Sequence, residues 1–312
     1  MKRMQLSFDI YNPFTADSGI AGPTVLVTAG VHGDEYEPMI AAFELMGKAG
    51  AQVKKGKLVI VPVTNTSAYN GCSRYGSDGL DLARICPGKQ DGTESERAAF
   101  DVSNLIRQAD YYIDLHTGGK VLNIYPLSGY MLHSSEEVLQ KQQWMAQAFG
   151  LPVVWGTDAA LNGRTLSVAR DAGIPAIYVE YGGGEPFDQT IVESYVAGCL
   201  NILAGLKVIA ADYRQHGPLY WVEDYTPGKG HLQSKMPSPA DGIFIPAVKP
   251  GDTVVKGDAW GWVIDLKDKQ ELAVPADEEG MVLFLRSTSF VQKNDSLGGV
   301  LPVTQPGKIK IL

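Results

Sequence analysis

Cysteine is scarce in this chain: Cys72, Cys86 and Cys199 are the only three in 312 residues. An odd, sparse set makes no disulfide framework, so a reducing compartment, the cytoplasm, is the expected setting. Long apolar runs are also missing. No stretch approaches 18 uninterrupted apolar residues, so no transmembrane helix is expected. The opening MKRMQLSFDIYNPF holds no apolar segment of signal-peptide length. Basic residues are in deficit, with 27 Lys and Arg against 35 Asp and Glu, a formal net charge of −8. Nucleic acid and anionic membrane surfaces demand clustered cations, so neither is expected as a partner. A small anionic substrate needs only one or two local arginines and stays admissible, as does assembly into a homo-oligomer.

The remaining composition is that of a globular protein, 45% apolar and 20% charged, long enough for one large α/β domain and a smaller module. Residues 24–30, 57–63, 111–115 and 176–179 are short β-branched runs closed by Gly, Thr or a charged residue, as expected for strands covered on both faces. Helical patterns fill 36–48, 93–108, 136–149 and 188–207 between them, with Thr93 and Glu96 spaced as a capping box. This alternation predicts a parallel or mixed sheet with helices on both sides, an α/β fold.

Near residue 222 the pattern changes. Residues 226–240 are rich in Gly, Pro, Ser and Lys and read as a connection. Beyond them, short Val, Ile, Phe and Trp runs alternate with glycine turns, which predicts a small all-β module. Pro239-Ala240-Asp241 with Gly242 recurs as Pro275-Ala276-Asp277 with Gly280, and Lys256-Gly257-Asp258 is echoed by Lys293-Asn294-Asp295. Two halves of about 36 residues suggest a β-sandwich of interlocked hairpins. This module resembles the lipoyl/biotinyl-carrier fold through turns such as VKPGDTVVKGDAWGWV. The hairpin sequence DLKDKQEL lacks the carrier pattern, so Lys269 is expected to be unmodified. The division expected is a catalytic domain over 1–225 and a β module over 226–312.

Three strand ends carry the chemistry. One run enters His32-Gly33-Asp34-Glu35, the second ends on His116, the third on Glu180 before Gly182-Gly183-Gly184. In a doubly wound sheet such ends converge on one rim, where ligands bind. Two imidazoles and a carboxylate, His32, His116 and Glu35, match a catalytic zinc site with a coordination position left for water. Zinc would bring the pKa of water toward ~7 and polarise a carbonyl, and Glu180 could carry the proton to a leaving nitrogen. Alone, His-x-x-Glu or Asp-Leu-His is commonplace; the conjunction of three glycine-flanked strand ends is what points to a metal. His133, His216 and His231 read as ordinary surface or loop residues. Asp114, on the same side of its strand as His116, could orient that imidazole; a solvated strand end is the competing reading. Cys72 and Cys86 read as small residues packing inside a loop.

GVHGDEYEP (30–38), NTSAYNGCSRYGSDGLDLARICPG (65–88), DLHTG (114–118) and VEYGGG (179–184) together resemble the succinylglutamate desuccinylase/aspartoacylase family, within the zinc carboxypeptidase superfamily. The resemblance implies one zinc ion per chain on His32, Glu35 and His116. It further implies Glu180 as general base, Arg74 polarising the scissile carbonyl, and Arg84 gripping a substrate carboxylate. Arg164, at the start of a helix before the Glu180 strand, is a candidate second anion contact. The family's Asp-Leu-Asn-Arg stands here as Asp81-Leu82-Ala83-Arg84, which removes an amide contact to the substrate. The expected activity is hydrolysis of an N-acyl amino acid or N-acyl amine; the alternatives are a metallocarboxypeptidase acting on small peptides and a non-catalytic binding protein on the same fold.

Overall fold

A computed structural model describes residues 10, 12–184, 186–227, 236–303 and 309–311. His231 and most of the 226–240 connection lie outside the described residues. The four expected helices form as α1 (Tyr36–Ala49), α3 (Glu94–Arg107), α4 (Glu136–Phe149) and α6 (Gln189–Gly205), joined by the short α2 (Thr66–Asn70) and α5 (Thr165–Asp171). The Thr93–Glu96 capping box is made in both directions and starts α3.

The four expected strands are β2 (Thr24–Thr28), β3 (Lys57–Val61), β4 (Tyr111–His116) and β7 (Ala176–Gly182). Around them lie β1 (Phe14–Asp17), β5 (Leu122–Met131), β6 (Val153–Thr157), β8 (Tyr220–Glu223) and, near the end of the chain, β16 (Ile309–Ile311). The sheet order is β1-β3-β2-β4-β7-β5-β6-β8-β16. β3, β2, β4 and β7 run parallel, β5 is antiparallel to β7, and β6 and β8 continue parallel to β5. The sheet is therefore mixed. α1, α4 and α6 cover one face through a core that includes Leu45, Phe149, Tyr195 and Ile202. α3 and α5 cover the other through Val102, Ile106, Leu166 and Ala169.

β5 has no clean period in the sequence because Pro126 and Gly129 interrupt it. The register against β7 shifts between Ile124 and Leu127, around that proline. There the other edge of β5 changes partner, so the proline's missing donor falls where no ladder bond is required.

Beyond residue 240 the chain forms β9 (Gly242–Pro246), β10 (Thr253–Val254), β11 (Ala259–Asp265), β12 (Gln270–Pro275), β13 (Gly280–Arg286), β14 (Phe290–Val291) and β15 (Gly298–Leu301). A four-stranded sheet ordered β12-β11-β9-β14 faces β10, β13 and β15 across a core containing Phe244, Trp260, Val263, Val282 and Leu297. β13 also bonds β5, with Phe284 to Arg286 opposite Ile124 to Leu122. The β layer thus continues the main sheet at the strand whose first residues line the site described next. Among the described residues no helix is long and apolar enough to cross a membrane.

Candidate metal centre

After β2 the chain turns at Gly30, whose φ of +61° is in the left-handed region, and enters α1 with Glu35 at the N-cap position. Gly33 lies against the short helix α2. A Cβ there would fall 2.0 Å from the carbonyl of Ala68, and the Gly33 N–H donates to Ser73 O at 2.9 Å. Glycine at this point lets the loop that carries Arg74 and Asp81 seat directly on His32 and Glu35. His116 ends β4 and is in register with Glu180 on β7. The Tyr195 hydroxyl donates to the His116 carbonyl and fixes that strand end.

His32, Glu35 and His116 come together as a buried group whose candidate ligand atoms all lie within 4.8 Å of one another. Glu35 stands between the imidazoles, Oε1 2.7 Å from His32 Nδ1 and Oε2 3.0 Å from His116 Nδ1. The other ring nitrogens each face a carboxylate: His32 Nε2 is 3.2 Å from Asp81 Oδ1, and His116 Nε2 is 3.1 Å from Asp114 Oδ2. Asp114 is fully buried and also accepts from Thr28 Oγ1 at 2.6 Å and Thr165 Oγ1 at 2.5 Å. With both Nε2 atoms directed to carboxylates, both Nδ1 atoms point at the same place as Glu35. This is the donor set a divalent metal takes, with the imidazoles oriented by outer carboxylates, so the residues present fit such an ion.

The electrostatics are those of charges gathered out of water. Burial alone would raise the Glu35 carboxyl, but His32 and His116 outweigh it and hold Glu35 below its ordinary range. Burial would lower the His116 imidazole, and the carboxylates of Asp114 and Glu35 raise it well above its usual value instead. Glu180 goes the other way. Burial, with added repulsion from Glu35 and Asp114, pushes it up against the pull of His116 and Arg74. Its Oε2 is shielded from solvent and has no hydrogen-bond partner among the described residues.

Arg74 is locked by Asp81, which accepts from Nε at 3.0 Å and Nη2 at 2.9 Å, while Nη1 lies 3.5 Å from His32 Nδ1. Arg84 and Arg164 sit side by side because their loops are stitched together: Cys86 N donates to Gly163 O at 2.9 Å, and a Cβ on Gly163 would strike the Arg84 carbonyl. All seven residues expected in the site, His32, Glu35, Arg74, Arg84, His116, Arg164 and Glu180, line one cavity of about 100 Å³. A larger groove of about 1030 Å³ runs beside α3 but is walled by residues of 12–13, 61–77 and 94–105 and holds none of the metal group.

Asp81, Thr28, Thr165 and Tyr178 are additions. Asp81 opens the Asp-Leu-Ala-Arg segment, where the departure at Ala83 draws attention away from it; the hydroxyls belong to no spacing pattern. Asp114 is no solvated strand end. Cys86 is buried as expected within its loop, whereas Cys72 is exposed. His133 caps a turn through Ser135 N at 2.9 Å and plays no part here.

The family model for the succinylglutamate desuccinylase/aspartoacylase catalytic domain matches residues 21–206. Over 300 residues the chain is 27% identical to the N-alpha-acetyl-L-2,4-diaminobutyric acid deacetylase of Halomonas elongata, covering 94% of this chain and 86% of that one. Two solved structures share the fold. The succinylglutamate desuccinylase/aspartoacylase from Rhodobacter sphaeroides is 25% identical with a TM-score of 0.82, over 94% of this chain and 88% of that one. The product-bound ectoine utilization protein EutE (DoeB) from Ruegeria pomeroyi is 26% identical with a TM-score of 0.83, over 92% and 87%.

Proposed function

Because this chain belongs to the succinylglutamate desuccinylase/aspartoacylase family, we propose that it is a zinc-dependent deacylase that hydrolyses an N-acyl amino acid to a carboxylic acid and a free amine. The observation that carries this reading is the unpartnered, buried Oε2 of Glu180 beside the His32, Glu35 and His116 group. A buried carboxylate oxygen without a partner is costly unless something in the working site meets it, and a proton moving from water to a leaving nitrogen is such a task.

His32 and His116 through Nδ1, with the Glu35 carboxylate, would hold one zinc ion per chain. When bound, the ion supplies Lewis acidity that polarises a carbonyl and makes water easier to deprotonate. Glu180 accepts a proton from water and hands it to the amide nitrogen, so the amine leaves neutral. Arg74, held rigid by Asp81, presents Nη1 toward the centre and stabilises negative charge developing on the carbonyl oxygen. Arg84 and Arg164 bind a carboxylate of the substrate. A cavity of about 100 Å³ is below the range of about 300–1,000 Å³ usual for drug-sized ligands, which favours a small N-acyl compound over a peptide. The deacetylase named for the Halomonas elongata relative supports the same reaction class.

We take residues 226–312 as a lipoyl/biotinyl-carrier-like module appended to a catalytic unit over 1–225, with its last strand, β16, returning to the main sheet beside β8. Its place in this reading is to brace β5 through β13, so that Leu122 and Ile124 form one wall of the cleft.

The test is a screen of zinc-loaded protein against N-acyl amino acids, N-acyl diamines and short peptides, read as amine release. Release from N-acyl amino acids that Glu180→Gln abolishes supports the reading. Loaded protein that acts on none of them sinks it.

A further inference from the structure

Part of the lining of the cleft takes no part in the reaction. Ala83, Met131, Leu166 and Tyr178 form that part. The first three are 8%, 2% and 5% exposed and belong to one packed apolar cluster, against which Tyr178 rests. The polar side chains nearby are engaged elsewhere: Thr157 Oγ1 donates to the Tyr130 carbonyl at 3.3 Å and Thr165 Oγ1 to Asp114 at 2.5 Å. Apart from the Tyr178 hydroxyl, which meets Thr157, the lining formed by these residues is apolar. Ala83 belongs to that lining, in the position where the family pattern has an amide.

Charge around the cleft points the same way. The carboxylates of Glu35, Asp114 and Glu180 line it and Asp81 stands behind Arg74, against the guanidinium groups of Arg74, Arg84 and Arg164. With a divalent ion on the metal group and Glu180 ionised, the set carries one positive charge. One substrate carboxylate neutralises it. A second would be left unpaired in a desolvated pocket. An ammonium side chain would add to the positive charge of a cleft that already holds Arg74, Arg84 and Arg164.

We infer that the leaving amino acid carries a single carboxylate, held by Arg84 and Arg164, and a short uncharged aliphatic side chain seated against Ala83, Met131 and Leu166. This rests on the deacylase reading and narrows its substrate class: the preferred compounds are N-acyl derivatives of amino acids such as alanine or valine, in preference to acidic or diamino acids.

The experiment compares N-acetylvaline, N-acetylaspartate and Nα-acetyl-2,4-diaminobutyrate in two ways. The zinc-loaded enzyme gives kcat/KM, and zinc-loaded Glu180→Gln gives binding by calorimetry, without turnover. N-acetylvaline is expected to lead in both by about tenfold or more, since even one methylene more or less in an apolar pocket is worth about 10–200-fold. Ala83→Asn is expected to narrow that lead. Leu166→Ala is expected to move the preference toward a larger side chain such as leucine. Equal or better use of the aspartate or diaminobutyrate compound overturns this inference and leaves the deacylase reading standing. If none of the three is hydrolysed, the calorimetric order still decides the inference: valine first upholds the apolar lining, any other order overturns it.

Discussion

Replacing Asp114 with Asn tests whether the buried carboxylate behind His116 tunes a metal site or merely fills space. Asp114 accepts three bonds, from His116 Nε2, Thr28 and Thr165, and is fully buried. Asn is nearly isosteric but neutral, and its NH₂ is a donor, so it leaves at least one of these three donors without an acceptor. The His116 ring loses the negative charge that keeps Nε2–H in place and makes Nδ1 a better electron donor. Outer-shell substitutions of this kind typically cost 10–100-fold in metal affinity, or about 1.4–2.8 kcal/mol. Thr165→Val removes one of the three bonds and leaves the carboxylate, so a loss of about 1 kcal/mol, roughly fivefold, is expected. Zinc affinity measured by competition with a chromophoric chelator gives both numbers, with far-ultraviolet circular dichroism to check that the fold survives. Zinc affinity within twofold of the parent in a folded Asp114→Asn protein would show that the carboxylate does not tune the site.

Three further outcomes follow from the geometry. Glu180 is raised by burial and by Glu35 and Asp114, so its carboxyl carbon signal in metal-free protein should titrate well above the ordinary value of 4.5. A divalent ion should pull that titration down, and a value near 4.5 without metal would show that the side chain is solvated. Gly33→Ala places a Cβ against the Ala68 carbonyl, and the loop shift it forces should cost about 1–3 kcal/mol in stability to denaturant and weaken zinc binding; unchanged values would mean that the two loops are not in contact. Native protein at pH 8 should show one reactive thiol to a disulfide reagent, Cys72, because Cys86 is pushed up to about 12 and Cys199 higher still by burial; prompt reaction of a second thiol would contradict the packing.

Much of the site was legible because its residues stand at strand ends. His32, His116 and Glu180 each follow a short apolar run, and parallel pairing of β2, β4 and β7 brings such ends together whatever the loops do. Helices α1, α3, α4 and α6 were legible from periodicity within two residues at each end. β5 was not, because a strand that changes partners at Pro126 carries no uniform alternation. Asp81 and Thr165 were illegible for a different reason. Their roles are hydrogen bonds to groups 49 and 51 residues away in sequence, and no local pattern encodes a contact between separate loops. Arg170 shows the same limit. Its guanidinium bonds the Ala159 carbonyl and Asn162 and closes the loop that leads to Arg164.

One divalent ion on His32, Glu35 and His116 is proposed to make this chain an amide hydrolase. Protein stripped with a chelator should release no amine from an N-acyl amino acid, and titration with zinc should restore release with a break at one equivalent per chain. His116→Ala should bind almost no metal under the same conditions. Turnover that survives chelation, or stoichiometric zinc retained by His116→Ala, would contradict the claim.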